Sequence, residues 1–431
     1  MRALALIDGE HYPDVVRDAI AALPYQVVGA VMLGGTEKLR TGEPNYGVPL
    51  RHDFEDALAA VDAEVVVDLS DEPVVGPRRR FRLASQALAA GRAYVGADFR
   101  LEPVSFAPLA LPALAVIGSG KRVGKTAVAG HVARLLAEAR EVVVVAMGRG
   151  GPAEPVVTEA SPTVEDLLAL SRAGAHAASD YLEDAALAGV VTVGARRCGG
   201  GLAGTPFLSN VEEAAKLAAS LSPDLLLLEG SGAAIPPVEA SRRILVAGAH
   251  QDPEIVAGYL GAYRLLLSDL VILTMCETPL ATPAQVAALR DAIADVNPEL
   301  PVIATVLRPR PVEPVAGRRV AFFSTAPEAI HARLREHLER EHGAEVALLS
   351  GNLADRDALR ADLDSSAVTD ADVFLVEIKA AAVDVVAEAA ADRGVQVVFA
   401  DNEVRPLDGE PDLDERLRAL ADAVVAEGVA V

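Results

Sequence analysis

Leu114-Ala-Val-Ile-Gly-Ser-Gly-Lys-Arg-Val-Gly-Lys-Thr126 decides how the rest of the chain is read. An apolar run over 114–117 has the length and branching of a buried strand. It enters a glycine turn, then Gly124-Lys125-Thr126, then a helix-like run over 127–139. Strand, glycine loop, Gly-Lys-Thr and helix is the order of a phosphate-binding P-loop. Glycines let backbone N–H groups close on phosphate oxygens, and the helix N-terminus adds its dipole. Gly118, Ser119, Gly120, Lys121, Arg122, Val123, Gly124, Lys125 and Thr126 are therefore the expected nucleotide site. Lys125 is assigned to the β/γ-phosphates and the Thr126 hydroxyl to Mg²⁺. One departure stands out. The consensus glycine five residues before Gly124 is Ser119, flanked by Gly118 and Gly120. Lys121 falls one place after the position of the signature lysine in deviant P-loops. The competing reading is a glycine turn before an ordinary helix.

The chain around this stretch alternates strand and helix. Strands are expected over 114–117, 142–146, 190–193, 225–228, 244–247 and 270–274. Several are continuous apolar runs, as when both sheet faces are covered. Upstream, strands over 3–7, 27–33, 64–69 and 93–95 alternate with helices over 14–23 and 78–90, a Rossmann-like pattern. Downstream, strands over 320–323, 346–349, 373–376 and 395–399 alternate with helices over 327–342, 356–363 and 381–393. The fold class is thus α/β in three domains. An N-terminal Rossmann-like unit (1–112) and a C-terminal α/β unit (302–431) flank a central P-loop NTPase domain (113–301) with a mostly parallel sheet. The proline-rich stretch 103–112 reads as the first linker. Gly34-Gly35 lacks the full dinucleotide fingerprint, so NAD is not expected.

With 431 residues, 51% of them hydrophobic, the chain can bury several cores. Its formal charge of −23 argues against a nucleic-acid surface or an anionic membrane partner. The same field makes any arginine cluster informative. Cys198 and Cys276 are the only cysteines, too few for a disulfide framework or structural zinc. The first residues reach a charge too soon for a signal peptide, and no apolar run is bilayer length. A cytoplasmic protein is expected.

Three further constellations carry chemistry. Asp224-Leu-Leu-Leu-Leu-Glu-Gly-Ser-Gly232 ends an apolar strand in an acid and a turn. Glu229 is the carboxylate expected to help hold Mg²⁺ with Thr126, because Asp224 lies at the strand's far end. Val145-Ala-Met-Gly-Arg-Gly-Gly151 sets Arg149 between glycines, where Gly150 and Gly151 let an anion approach the backbone. Val193-Gly-Ala-Arg-Arg-Cys-Gly-Gly-Gly-Leu-Ala-Gly204 repeats the theme with Arg196, Arg197 and Gly199, Gly200 and Gly201, an anion-nest composition. A surface turn and a flexible hinge are the bland alternatives. Cys198 reads as a small filler. Arg78-Arg-Arg80 reads as a solvated helix start. Arg308, Arg310 and Lys379 lie near strand ends of the third unit and would suit a second wall around an anion. Thr274-Met-Cys-Glu277 stands where P-loop folds meet the base and is not the guanine-reading signature, which favours ATP. His-Glu-x-x-His, Cys-x-x-Cys and Gly-x-Ser-x-Gly are absent.

The P-loop with Glu229-Gly-Ser-Gly232 resembles the acid-activating ligases related to dethiobiotin synthetase. Asp8-Gly-Glu-His-Tyr12, Met147-Gly-Arg-Gly-Gly151, Arg196-Arg-Cys-Gly-Gly-Gly201, Ala249-His-Gln-Asp-Pro-Glu254 and Glu377-Ile-Lys-Ala-Ala-Ala-Val383 resemble, more closely, the cyclic 2,3-diphosphoglycerate synthetase family. That resemblance implies ATP- and Mg²⁺-dependent closure of 2,3-diphosphoglycerate into an intramolecular anhydride through a γ-phosphorylated intermediate, with ADP and phosphate released. It implies a small polyanionic phosphorylated acid as partner. Lys125, Lys121, Arg149 and Glu229 are then the catalytic set, and Arg149, Arg196 and Arg197 hold substrate. His11 and Lys379 carry over by motif without an assigned role. A homodimer is expected because P-loop enzymes of this class often pair across the nucleotide face. A K⁺ requirement is left open. The alternatives are a carboxylate-activating amide or cyclo-ligase and a nucleotide-switched binding module.

Overall fold

The computed structural model describes residues 1–35, 37–39, 44–159, 161–174, 179–378 and 382–429. Two sheets carry the molecule. The first has six strands, with Arg2–Ile7 between Gln26–Met32 and Val65–Asp68, all parallel. Ala93–Val95 extends it in parallel and Arg100–Leu101 closes it antiparallel. Its helices Pro13–Ala22 and Pro77–Ala89 both start at a proline, which has no N–H to lose in the first turn.

The second sheet has 13 strands. The P-loop strand Ala113–Gly118 lies between Leu225–Glu229 and Arg242–Gly248, and every one of its residues is buried. Val142–Gly148 and Val191–Cys198 follow on one side and Leu270–Thr274 on the other, all parallel. Leu, Val and Ile from these strands pack under the helix Lys125–Ala137, with Leu114, Val128, Val132, Leu227 and Ile244 no more than 1% exposed. Parallel strands covered on both faces need such unbroken apolar runs.

The third expected segment shares this sheet. Strand Val302–Pro311 pairs parallel with Leu270–Thr274, then runs on to pair antiparallel with Gln396–Pro406. Prolines at 309 and 311 hide this strand in the sequence. Val312 N donates to Phe399 O, so even-numbered residues face the partner strand and the two prolines face the open edge. Val373–Glu377 and Arg319–Phe323 continue the sheet in parallel with Gln396–Pro406. These strands therefore run opposite to the P-loop strands. Their carboxyl ends point back toward the P-loop from roughly 20 Å away, since 305–311 adds seven residues at ~3.3 Å each. Ligands gather at strand carboxyl ends, and here two such ends oppose each other. The final helix, Leu413–Val429, returns to the P-loop layer, where Leu413, Leu417, Ala421 and Val424 join the core beneath Lys125–Ala137. No helix of the described residues is long and apolar enough to cross a membrane.

Candidate active site

The P-loop turns on two left-handed residues, Arg122 (φ 57°) and Gly124 (φ 76°), which deliver the chain to the helix Lys125–Ala137. Exchanging Gly124 would strain the backbone and crowd Leu307, whose Cδ1 would lie 3.0 Å from an added Cβ. Ser119 is not among the left-handed residues, so a glycine is not required there. Its hydroxyl donates to Gln251 Oε1 at 2.6 Å, and Gln251 Oε1 also accepts from Gly248 N at 2.9 Å. Gln251 thus steadies the loop, while its neighbour His250 is exposed.

Lys125 and Glu229, expected separately for the phosphates and for Mg²⁺, are in contact in the structure. Lys125 Nζ donates to Glu229 Oε1, with the two side chains 9% and 1% exposed. Glu229 closes the strand next to the P-loop strand, so the sheet itself sets this pair. An open cleft of ≈ 390 Å³ lies above them, lined by 120–127, Arg149, Gly150, Ser179, Asp180, Ser231 and Gly232.

Three basic side chains pack around the Ser231–Gly232 turn, two of them by their guanidiniums. A Cβ placed on Gly232 (φ 59°) would lie 3.2 Å from Arg149 Nη2, 3.6 Å from Arg197 Nη2 and 3.7 Å from Lys121 Cγ. Arg197 donates to Ser231 O at 2.7 Å and to Gly199 O at 2.6 Å, and its Nε is buried without a partner. Burial first, and the charge of Arg149 second, push the Arg197 guanidinium below its ordinary pKa. Two guanidiniums held this close, one of them buried, suit an anion. Arg264 fastens the surrounding loops. It is 6% exposed and donates to Ala233 O at 2.7 Å, Leu260 O at 2.9 Å and Leu202 O at 3.3 Å. Burial pushes its pKa down to about 10.

The structure does not gather every expected residue here. Strand alternation along Val191–Cys198 turns Arg197 inward and leaves Arg196 and Cys198 exposed on the opposite face. Gly150 lines the cleft. Gly151 instead packs on Ala195, while Gly199, Gly200 and Gly201 form the turn that Arg197 closes. His11 stands at the strand ends of the first sheet, its Nδ1 donating to Asp8 Oδ1 at 2.8 Å. Lys379 lies outside the described residues. Arg78-Arg-Arg80 opens the helix Pro77–Ala89 with Arg78 and Arg79 exposed, as expected, though each of the three also has a partner. Arg78 pairs with Glu254, Arg79 binds the Val74 and Leu33 carbonyls, and Arg80 pairs with Asp68.

One residue the sequence reading missed is Asp184. It is 3% exposed, no donor group reaches either carboxyl oxygen, and its carboxyl lies against that of Glu229. It sits one turn below Asp180 on the helix Asp180–Ala188, facing Glu229. Burial first, then the Glu229 charge, raise its pKa well above the ordinary carboxyl value, while Lys125 pulls the other way. In sequence Glu183-Asp184 passes for a solvated face. The signal was an acid flanked by Leu182, Ala185 and Leu187, all buried. A buried carboxyl beside Glu229 and within the charge of Lys125 fits a divalent cation. Mg²⁺ asks for only one or two carboxylates beside phosphate oxygens and water.

Fold and site together define a P-loop nucleotide-binding enzyme. Family models described as the N-terminal, P-loop and C-terminal domains of cyclic 2,3-diphosphoglycerate synthetase match residues 2–102, 113–306 and 311–403. The chain belongs to the cyclic 2,3-diphosphoglycerate synthetase family. It is 56% identical over 419 residues to the cyclic 2,3-diphosphoglycerate synthetase of Rubrobacter xylanophilus, covering 94% of each chain. The protein of that name from Methanothermus fervidus is 42% identical over 425 residues, covering 93% of this chain and 92% of the relative. Among solved structures, LpxK from Aquifex aeolicus in complex with ATP aligns with a TM-score of 0.43 at 14% identity, over 74% of this chain and 90% of its own. That likeness is too slight to argue from.

Proposed function

We propose that the protein uses ATP to cyclise 2,3-diphosphoglycerate. The observation that carries this is the convergence of Lys121, Arg149 and Arg197 on Gly232, beside the Lys125–Glu229 pair. One polyanion, the nucleotide, is met by the P-loop. A second cationic wall a few ångströms away is redundant for ATP alone but suits an acceptor with two phosphates and a carboxylate.

In the reaction, an oxygen of one substrate phosphate attacks the γ-phosphorus and ADP leaves. An oxygen of the other phosphate then attacks the activated substrate phosphorus, and inorganic phosphate leaves as the cyclic anhydride forms. Lys125 moves from Glu229 to the β/γ-oxygens, and the backbone N–H groups of 118–124 cradle the phosphates. Lys121 spans both ligands. Arg149 holds the acceptor, and Arg197 supports it from behind the turn. Thr126, Glu229 and Asp184 would hold Mg²⁺, which when bound neutralises phosphate charge. Alignment and charge screening supply the rate. A homodimer belongs to the same reading, supported by exposed Phe207 (94%), Leu202 (69%) and Leu208 (55%) on the hairpin beside the cleft.

The test is ADP release with a panel of acids. 2,3-Diphosphoglycerate should stimulate release at least tenfold over monophosphoglycerates and dicarboxylates. Stimulation only by a non-phosphorylated acid would replace this reading with a carboxylate-activating ligase. Nucleotide binding with no stimulation by any acid would point to a switch module.

A further inference from the structure

Far from the P-loop cleft in sequence lies a second concentration of cations. An opening of ≈ 410 Å³ is lined by Arg308, Arg333, Arg340, Arg405 and His337, with Glu336 and Glu341. We propose that this pocket is a second anion site, taking a small anion with two or more phosphoryl groups, and that it sits against the back of the P-loop.

Four guanidiniums meet four carboxylates here, but the pairs are unevenly made. Arg308 and Arg333 divide a single carboxylate, Glu277, which is 9% exposed. Arg308 holds it with two bonds of 2.6 and 2.9 Å. Burial pushes the Glu277 carboxyl up, and Arg308 and Arg333 more than reverse it, so it stays charged. Arg340 reaches Glu336 and Glu341 only at 3.3 Å, and Arg405 reaches Glu403 only at 3.6 Å. His337 is 7% exposed, with a buried Nε2 that has no hydrogen-bond partner. In a chain of net charge −23, four arginines and a buried imidazole nitrogen without a partner around one opening suit an anion. Guanidinium forks select phosphoryl oxygens over a single carboxylate. Arg310, expected in the same wall, turns instead to Asp401 at 3.2 Å.

The pocket borders the P-loop through two elements. Leu307, next to Arg308, abuts Gly124. Glu277 lies three residues past Thr274, whose hydroxyl donates to Val123 O at 2.7 Å. An anion that draws Arg308 from Glu277 acts on the strand ends that brace Val123 and Gly124.

The proposal rests on this geometry and not on the reaction, so inorganic pyrophosphate serves as the probe. Calorimetric titration of the full chain should show two classes of site. The Arg340→Ala/Arg405→Ala variant should lose one class, with affinity down at least tenfold, and Lys125→Ala/Arg149→Ala, which strips the P-loop cleft, should lose the other. An Arg340→Ala/Arg405→Ala variant that titrates like the parent overturns the proposal, as does loss of all binding in Lys125→Ala/Arg149→Ala. If the alanine variant unfolds, Arg340→Gln/Arg405→Gln is titrated instead. The same loss supports the site, and unchanged heats refute it.

Discussion

The strand ends of the two sheets look alike in sequence and opposite in structure. Both present acids and a basic residue after apolar strands. At the strand ends of the first sheet the two buried carboxylates, Asp8 and Asp68, are matched. Asp8 accepts from Glu10 N, His11 Nδ1 and Asp71 N at 2.7–2.9 Å. Asp68 accepts from Ser70, Arg80 Nε at 2.8 Å and Tyr94 Oη at 2.7 Å. In the second sheet Arg197 repels Arg149, and Asp184 faces Glu229 with no donor group reaching either oxygen. Satisfied networks stabilise a fold; unsatisfied ones wait for a ligand. Residue type alone cannot separate the two cases.

The contrast can be broken at either end. Lys125→Ala should reduce ADP release by three orders of magnitude or more, about 4 kcal/mol of lost charge stabilisation. Retained turnover would remove the P-loop assignment. Asp68→Asn should cost stability instead, about 3 kcal/mol in urea unfolding, because Arg80 loses its charge partner in a partly buried network. Activity per folded molecule should stay within about twofold; a larger fall would make the first sheet part of the catalytic machinery.

Arg149→Ala should raise KM for the acid about 10- to 100-fold in steady-state kinetics and leave nucleotide affinity unchanged. Weakened nucleotide binding would move that loop to ATP. Asp184→Asn should lower Mn²⁺ affinity about tenfold, read by electron paramagnetic resonance of the bound ion. It should also raise the melting temperature at pH 7. The sign follows from linkage. A carboxyl whose folded pKa is raised stabilises the fold fully below its unfolded value of about 3.9, and that stability is lost as pH rises through the folded pKa. Asparagine removes the loss. A lower melting temperature at pH 7 would show that Asp184 is matched after all.

Much of this was legible in sequence. The apolar runs marked the parallel strands, and Gly124-Lys125-Thr126 with Glu229 marked the nucleotide end of the site. What escaped was set by geometry between distant residues. Pro309 and Pro311 disguised the strand that fuses the third segment to the P-loop sheet, because which edge a proline faces depends on its partner. Arg196 and Arg197 read alike, yet adjacent residues on a strand point to opposite faces. Asp184 was hidden because burial of one helix face depends on Glu229, 45 residues further on. The helix Leu413–Val429 gave no hint that it would cross back to cover the P-loop layer.

The central claim is that the γ-phosphoryl is handed to a second phosphorylated acid held by Lys121, Arg149 and Arg197, and not to water. Phosphorus NMR of the protein with ATP, Mg²⁺ and 2,3-diphosphoglycerate tests it directly. The account predicts that the two phosphomonoester resonances disappear in step with ADP formation, replaced by anhydride resonances and one inorganic phosphate per ADP. ADP and phosphate accumulating while both monoester resonances persist would contradict it.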